Sequence, residues 1–159
     1  MRGHQMVLVA VAMALLLAGC GDTGNGSPPP RKPSGAASSS AAAAATDAYL
    51  AGEGKLLVDL SASAATFPDR IDRAALADGC EQLARSMNRR FPPGRLIRLL
   101  QGLPDGVLSR HLTNEMSAMQ EAIRACSDGD AGKARRLARI AQQSAADFDK
   151  RRDTLRTQG

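Results

Sequence analysis

Residues 46–159 predict an all-α fold, a small up-and-down bundle of four main helices plus one short helix. Three observations carry that expectation. Apolar residues recur at threes and fours through almost the whole span, which lines them along single helix faces. No segment alternates with the period of two that a half-buried strand needs, and β-branched residues are sparse. The 114 residues of this span are enough for one small domain around a single core.

The elements follow in order. In DAYLAGEGKLLVDLSASAATF, Tyr49, Leu56, Leu60 and Phe67 fall at spacings of seven, four and seven. Gly52 and Gly54 weaken this first helix by about 1 kcal/mol each relative to alanine, so its start is poorly defined. Thr66 and Asp69 flank Pro68 as a capping-box-like pair and predict the next helix start. That second helix turns Ile71, Leu76, Cys80, Leu83 and Met87 inward and ends before Pro92-Pro93-Gly94. A short helix, RLIRLLQGL, stops at Pro104. A longer one places Leu108, Leu112, Met116, Met119, Ile123 and Cys126 at spacings of four, four, three, four and three. Ser127-Asp128-Gly129-Asp130 ends it and supplies caps for a last helix, which buries Leu137, Ala141, Ala145, Phe148 and Leu155.

Residues 1–19 read as an export signal. Arg2 precedes MVLVAVAMALLLAG, 14 uncharged and mostly apolar residues. A helix of that length spans roughly 21 Å, short of the roughly 30 Å hydrocarbon core, so a transmembrane anchor is the poorer reading. The run ends in Leu17-Ala18-Gly19-Cys20, which resembles the lipobox of bacterial lipoproteins at all four motif positions. The resemblance implies that the Cys20 thiol is alkylated by a diacylglyceryl group and that cleavage before it makes Cys20 the first mature residue.

With Cys20 assigned to lipid, Cys80 and Cys126 remain, an even number in an oxidising compartment. They are expected to pair, stapling the second main helix to the long one, at about 4 kcal/mol in the chain-entropy account of disulfides. Two separate buried thiols are the alternative. Residues 20–45 read as the lipidated terminus and a disordered tether, because 20 of residues 21–45 are Gly, Pro, Ser or Ala. As a flexible coil it would hold the domain roughly 27 Å from the bilayer. Its alanine run is also able to join the first helix as a leading turn. PPPRKP favours polyproline II and reads as spacer rather than docking peptide.

Candidate chemistry is thin. His111 and Glu115 share a helix face, but a two-ligand half-site falls short of the clusters that zinc and di-iron sites use, so an exposed pair is expected. Met87, Met116 and Met119 offer thioethers to a soft metal, yet lie on apolar stripes where methionine fills gaps. There is no Gly-x-Ser-x-Gly, phosphate-binding loop or haem-attachment run, and Asp128/Asp130 and Asp147/Asp149 read as caps and solvated pairs. Four aromatic residues in the mature chain leave little for a carbohydrate platform.

The mature chain carries a formal +4. KARRLAR sets Lys133, Arg135, Arg136 and Arg139 on the first two turns of the last helix, followed by Lys150-Arg151-Arg152. Against a membrane such residues contribute about 1 kcal/mol each on anionic headgroups; the plainer reading is a solvated face interleaved with Asp147, Asp149 and Asp153. The alanine richness and 17 Arg against 4 Lys resemble the usage of GC-rich, actinobacterial-type genomes, which weakens any nucleic-acid reading of the arginines.

The expectation is therefore a non-enzymatic lipoprotein, without cofactor, acting as a binding module at the outer face of the cytoplasmic membrane. Its partners are the membrane, through the N-terminal lipid, and an envelope protein, with no nucleic acid. Gly21 after Cys20, rather than Asp, also permits an outer-membrane address. A small-ligand- or metal-carrying helical lipoprotein is the second reading.

Overall fold

The computed structural model describes residues 35–158, and side chains over 39–157. The expected export signal, Cys20 and the beginning of the expected tether lie outside the described residues. Within them the chain is all-helical, in seven helices: α1 (Gly35–Ala51), α2 (Lys55–Ala65), α3 (Phe67–Leu76), α4 (Cys80–Arg90), α5 (Pro93–Gly102), α6 (Gly106–Ser127) and α7 (Ala131–Gln158). Two interruptions divide the first two expected helices into α1–α2 and α3–α4, so seven helices stand where five are predicted. No described helix is long and apolar enough to cross a membrane.

The first interruption follows from glycine. The Tyr49 carbonyl accepts from Gly52 N at 3.2 Å and from Gly54 N at 2.8 Å, closing a turn at the end of α1. A Cβ on Gly54 would lie 2.6 Å from the Tyr49 ring, so only glycine lets the ring fold over this turn. The ring then reaches α5, where Tyr49 Oη donates to the Leu99 carbonyl at 2.7 Å. Upstream, α1 starts at Gly35, and the alanine run is drawn into this first helix. Alanine has the highest helix propensity, and Ala43 and Thr46 are buried, so the run gains packing as well as backbone hydrogen bonds.

The second interruption is a Schellman turn. Gly79 N bonds back to the Ala74 carbonyl at 2.8 Å across Asp78, whose φ of +50° is left-handed. The helical phase is lost there, and Leu76, expected in the core, stands 84 % exposed at the end of α3. The expected capping box is also not made. Thr66 Oγ1 turns back to donate to the Ser63 carbonyl at 3.4 Å, and no side chain caps α3.

The connection from α6 to α7 uses three residues. Asp130 N bonds to the Ala125 carbonyl at 2.8 Å and Gly129 N to the Cys126 carbonyl at 3.1 Å, with Gly129 at φ +80°. Asp130 Oδ1 then accepts from Lys133 N at 2.8 Å and caps α7. Along the hairpin so formed, Ala118, Ala122 and Ala125 of α6 and Ala134, Ala138, Ala141 and Ala145 of α7 are buried. Small side chains at such a seam let two helices approach closely. Leu57, Leu60, Phe67, Ile71, Leu96, Leu108, Leu112 and Phe148 fill the space between this hairpin and the other helices.

Cys80 and Cys126 form the disulfide, with Cα atoms 5.7 Å apart, joining the first residue of α4 to the end of α6. Asp105 opens α6. Its Oδ1 accepts from Val107 N and Leu108 N at 2.9 and 2.8 Å, and its Oδ2 accepts from Arg151 Nη2 at 2.7 Å. Burial pushes this carboxyl up, but the Arg151 and amide hydrogen bonds outweigh it and hold its pKa below the ordinary value.

Candidate functional site

Glu115 departs most from expectation. It shares its face with His111, which is only partly exposed, but its own side chain is fully buried rather than solvated. Leu112, Glu115, Met119, Ala122 and Cys126 run at three, four, three and four, so Glu115 sits in the middle of the inward stripe of α6. Ser61 of α2 donates to Glu115 Oε1 at 3.3 Å, while Oε2 is buried with no hydrogen-bond partner among the described residues. Burial is the main force on this carboxyl. The Ser61 hydrogen bond opposes it and the Asp149 carboxylate on α7 reinforces it, and the pKa is pushed up to about 8. At neutral pH the group is therefore largely a neutral acid, which lowers the cost of keeping it in the core.

Among the described residues no three His, Cys, Asp or Glu side chains come together in a group fit for a metal ion. Asp149 is engaged by Arg152, Nη2 to Oδ1 at 3.2 Å, and the Arg152 guanidinium lies over the Phe148 ring at 5.8 Å.

Met87, Met116 and Met119 do converge, around a cleft of about 40 Å³ that Leu60, Phe91 and Leu96 also line. Asn88 and Gln120 are the polar groups of this cleft. The Met87 sulfur accepts from Arg70 Nη1 at 3.2 Å. A thioether turned to a guanidinium is poorly placed to hold a cation, and the space is that of a packing gap rather than a cargo site.

The basic run of α7 divides in two. Lys133, Arg136 and Arg139 are exposed and make no ion pair with a described residue. Arg135 is tied to Asp72 of α3, Nε to Oδ1 at 2.6 Å. Of the later cluster, Arg151 is held by Asp105 and Arg152 by Asp149, which leaves Lys150 unpaired. The Asp130 carboxylate at the helix start offsets the unfavourable placing of cations in the first turn of α7.

The residues that sequence reasoning passed over are Ser61, Arg70, Arg73 and Arg90. Nothing in the local sequence marks them, since α3 and α4 face each other across a groove only because the chain turns at Asp78-Gly79. The Glu115 position had a signal, its place in the three-four register, which its charge overrode. Comparison of the chain with family models, with curated proteins and with solved structures finds no match.

Proposed function

We propose that the chain is a lipid-anchored binding module of the cell envelope, held at the extracytoplasmic membrane face through Cys20. The observation that carries this reading is Leu17-Ala18-Gly19-Cys20 at the end of a short uncharged run, the arrangement that the lipoprotein resemblance rests on. The helical domain is the part that meets a partner. Its plan is the long α6–α7 hairpin, with α1, α2 and α3 packed on α7, α4 on α6, and α5 as a short further element. The Cys80–Cys126 disulfide suits an oxidising compartment. The cargo-carrying alternative draws no support from the methionine cleft, given its size and the Arg70 contact at Met87.

Two readouts of one experiment test the proposal. Membranes from cells making the tagged parent or Cys20→Ala are separated, solubilised, and used for affinity capture with mass spectrometry. The parent is expected in the membrane fraction with a copurifying envelope protein, and Cys20→Ala in the soluble fraction. Equal membrane retention of both would end the anchor reading, and capture of no protein from native membranes would end the module reading.

A further inference from the structure

α3 and α4 lie side by side after the Asp78 turn without closing on each other. Arg70, Arg73, Ala74 and Ala77 on α3 and its C-terminal turn face Gly79, Gln82, Leu83 and Ser86 at and beyond the start of α4, each set at zero, three, four and seven. Between them runs a groove of about 340 Å³. Its hydrogen-bonding side chains are two arginines, a glutamine and a serine, all able to donate, and no carboxylate lines it.

Arg70 is held in place from below. Its Nη1 donates to Ser63 Oγ at 2.8 Å and to the Met87 sulfur at 3.2 Å. Nε and Nη2 have no acceptor among the described residues, so three N–H donors of the fork stay available. Arg90, on the same face of α4 as Leu83 and Ser86, stacks over Phe91 at 5.1 Å from the ring centre.

The charges are unbalanced. Burial first, then repulsion from Arg90 and Arg73, draws the Arg70 pKa below its ordinary value. None of the three arginines forms an ion pair with a described carboxylate. Of the acids nearby, Asp72 is taken by Arg135 and Glu81 by Arg85, while Asp69 and Asp78 are exposed and do not line the groove. Elsewhere the same chain does pair its interhelical arginines, as Arg135, Arg151 and Arg156 show. Arg70 and Arg73 line the groove with no carboxylate beside them, Arg90 adds its repulsion to theirs, and a dianion relieves that repulsion where a single carboxylate leaves most of it.

We propose that the α3–α4 groove, with Arg70, Arg73 and Arg90, binds a phosphate-bearing anion. A phosphate group matches on charge, at about −1.5 to −2 near pH 7, and on its three acceptor oxygens, which planar guanidinium forks engage in pairs. The groove is large enough for a small phosphate ester, with Gln82 and Ser86 left to hydrogen-bond its organic part. The same chemistry is offered by a free phosphate monoester and by a phosphomonoester lipid headgroup such as that of phosphatidic acid. The proposal stands apart from the anchor at Cys20 and does not depend on it.

The test uses the full chain in an uncharged detergent. In calorimetric titration, inorganic phosphate and glycerol phosphate are the soluble probes. Flotation with phosphatidylcholine vesicles, with and without phosphatidic acid, is the lipid arm, scored only as the increment due to the anionic lipid. Arg73 and Arg90 are exposed, so Arg73→Gln/Arg90→Gln is expected to keep the parent's melting temperature. It should weaken binding at least tenfold in whichever arm the parent responds, while Arg136→Gln/Arg139→Gln on α7 stays within twofold of the parent. Saturable binding of the soluble probes alone assigns the site to a free phosphate ester, and a response to the anionic vesicles alone assigns it to a headgroup. Absence of binding in both arms, or equal loss from the α7 variant and the groove variant, overturns the proposal.

Discussion

The α6–α7 hairpin and the α1–α4 segment reach comparable burial by different routes. In the hairpin, three residues finish one helix and cap the next, and the seam beyond is alanine on both sides. Every part of that arrangement is near in sequence to the part it serves. The α1–α4 segment is held by ties that span long stretches of chain: Tyr49 to the Leu99 carbonyl, Ser61 to Glu115, Asp72 to Arg135 and Cys80 to Cys126. A locally specified hairpin depends on its caps and small residues, each worth little. A segment fixed by a few distant ties depends heavily on each, and one of these ties titrates.

That titration is the strongest way to separate the two regions. The folded-state pKa of Glu115, about 8, lies above the ordinary 4.5, so the native protein holds a proton that the unfolded chain releases. The stability associated with this proton is fully present below about pH 4.5 and is lost as pH rises to about 8, beyond which the loss levels off. The full span is on the order of 5 kcal/mol. Denaturant midpoints of the parent should therefore fall across that window, whereas Glu115→Gln should flatten the fall and exceed the parent above pH 8. A variant whose midpoints fall as steeply as the parent's would show that other groups set the pH dependence.

The disulfide ranks next. Cys80→Ala/Cys126→Ala reopens a 46-residue separation and should cost about 4 kcal/mol. In amide hydrogen exchange the loss of protection should be concentrated in α3, α4 and α5, leaving the centre of the α6–α7 hairpin the last to exchange. Uniform loss across all helices would erase the distinction between the two regions. The smallest effect belongs to the hairpin's own turn. Asp130→Ala removes one cap and should cost about 1 kcal/mol, read from chemical denaturation at fixed pH. A cost several times larger would mean that the hairpin too hangs on a single tie.

This difference also accounts for what could be read from sequence. The core of α6 and α7 was legible at Leu108, Leu112, Met119, Cys126, Ala141, Ala145, Phe148 and Leu155, because a long unbroken helix keeps its register. Leu76 was misplaced because the register ends at Asp78, where a non-glycine residue adopts a left-handed conformation that no local pattern announces. Glu115 was assigned to the surface on its charge, although its spacing put it inside. Its burial depends on a serine 54 residues away in sequence and on a proton, neither of which a helix pattern displays. The arginine groove was illegible for the same reason, since it exists only once α3 and α4 are folded against each other. The run KARRLAR was conspicuous in sequence, yet one of its four cations is paired, whereas the scattered Arg70, Arg73 and Arg90 are not.

The anchor at Cys20 is the claim on which the proposed function turns, and its most direct test is the mass of the N-terminal peptide. The chain is isolated from membranes of the producing cell, digested, and its N-terminal peptide analysed by mass spectrometry. The account predicts that the peptide begins at Cys20 and carries the mass of a diacylglyceryl group on its thiol, with residues 1–19 removed. A peptide that retains residues 1–19, or one that begins elsewhere with Cys20 unmodified, would contradict it.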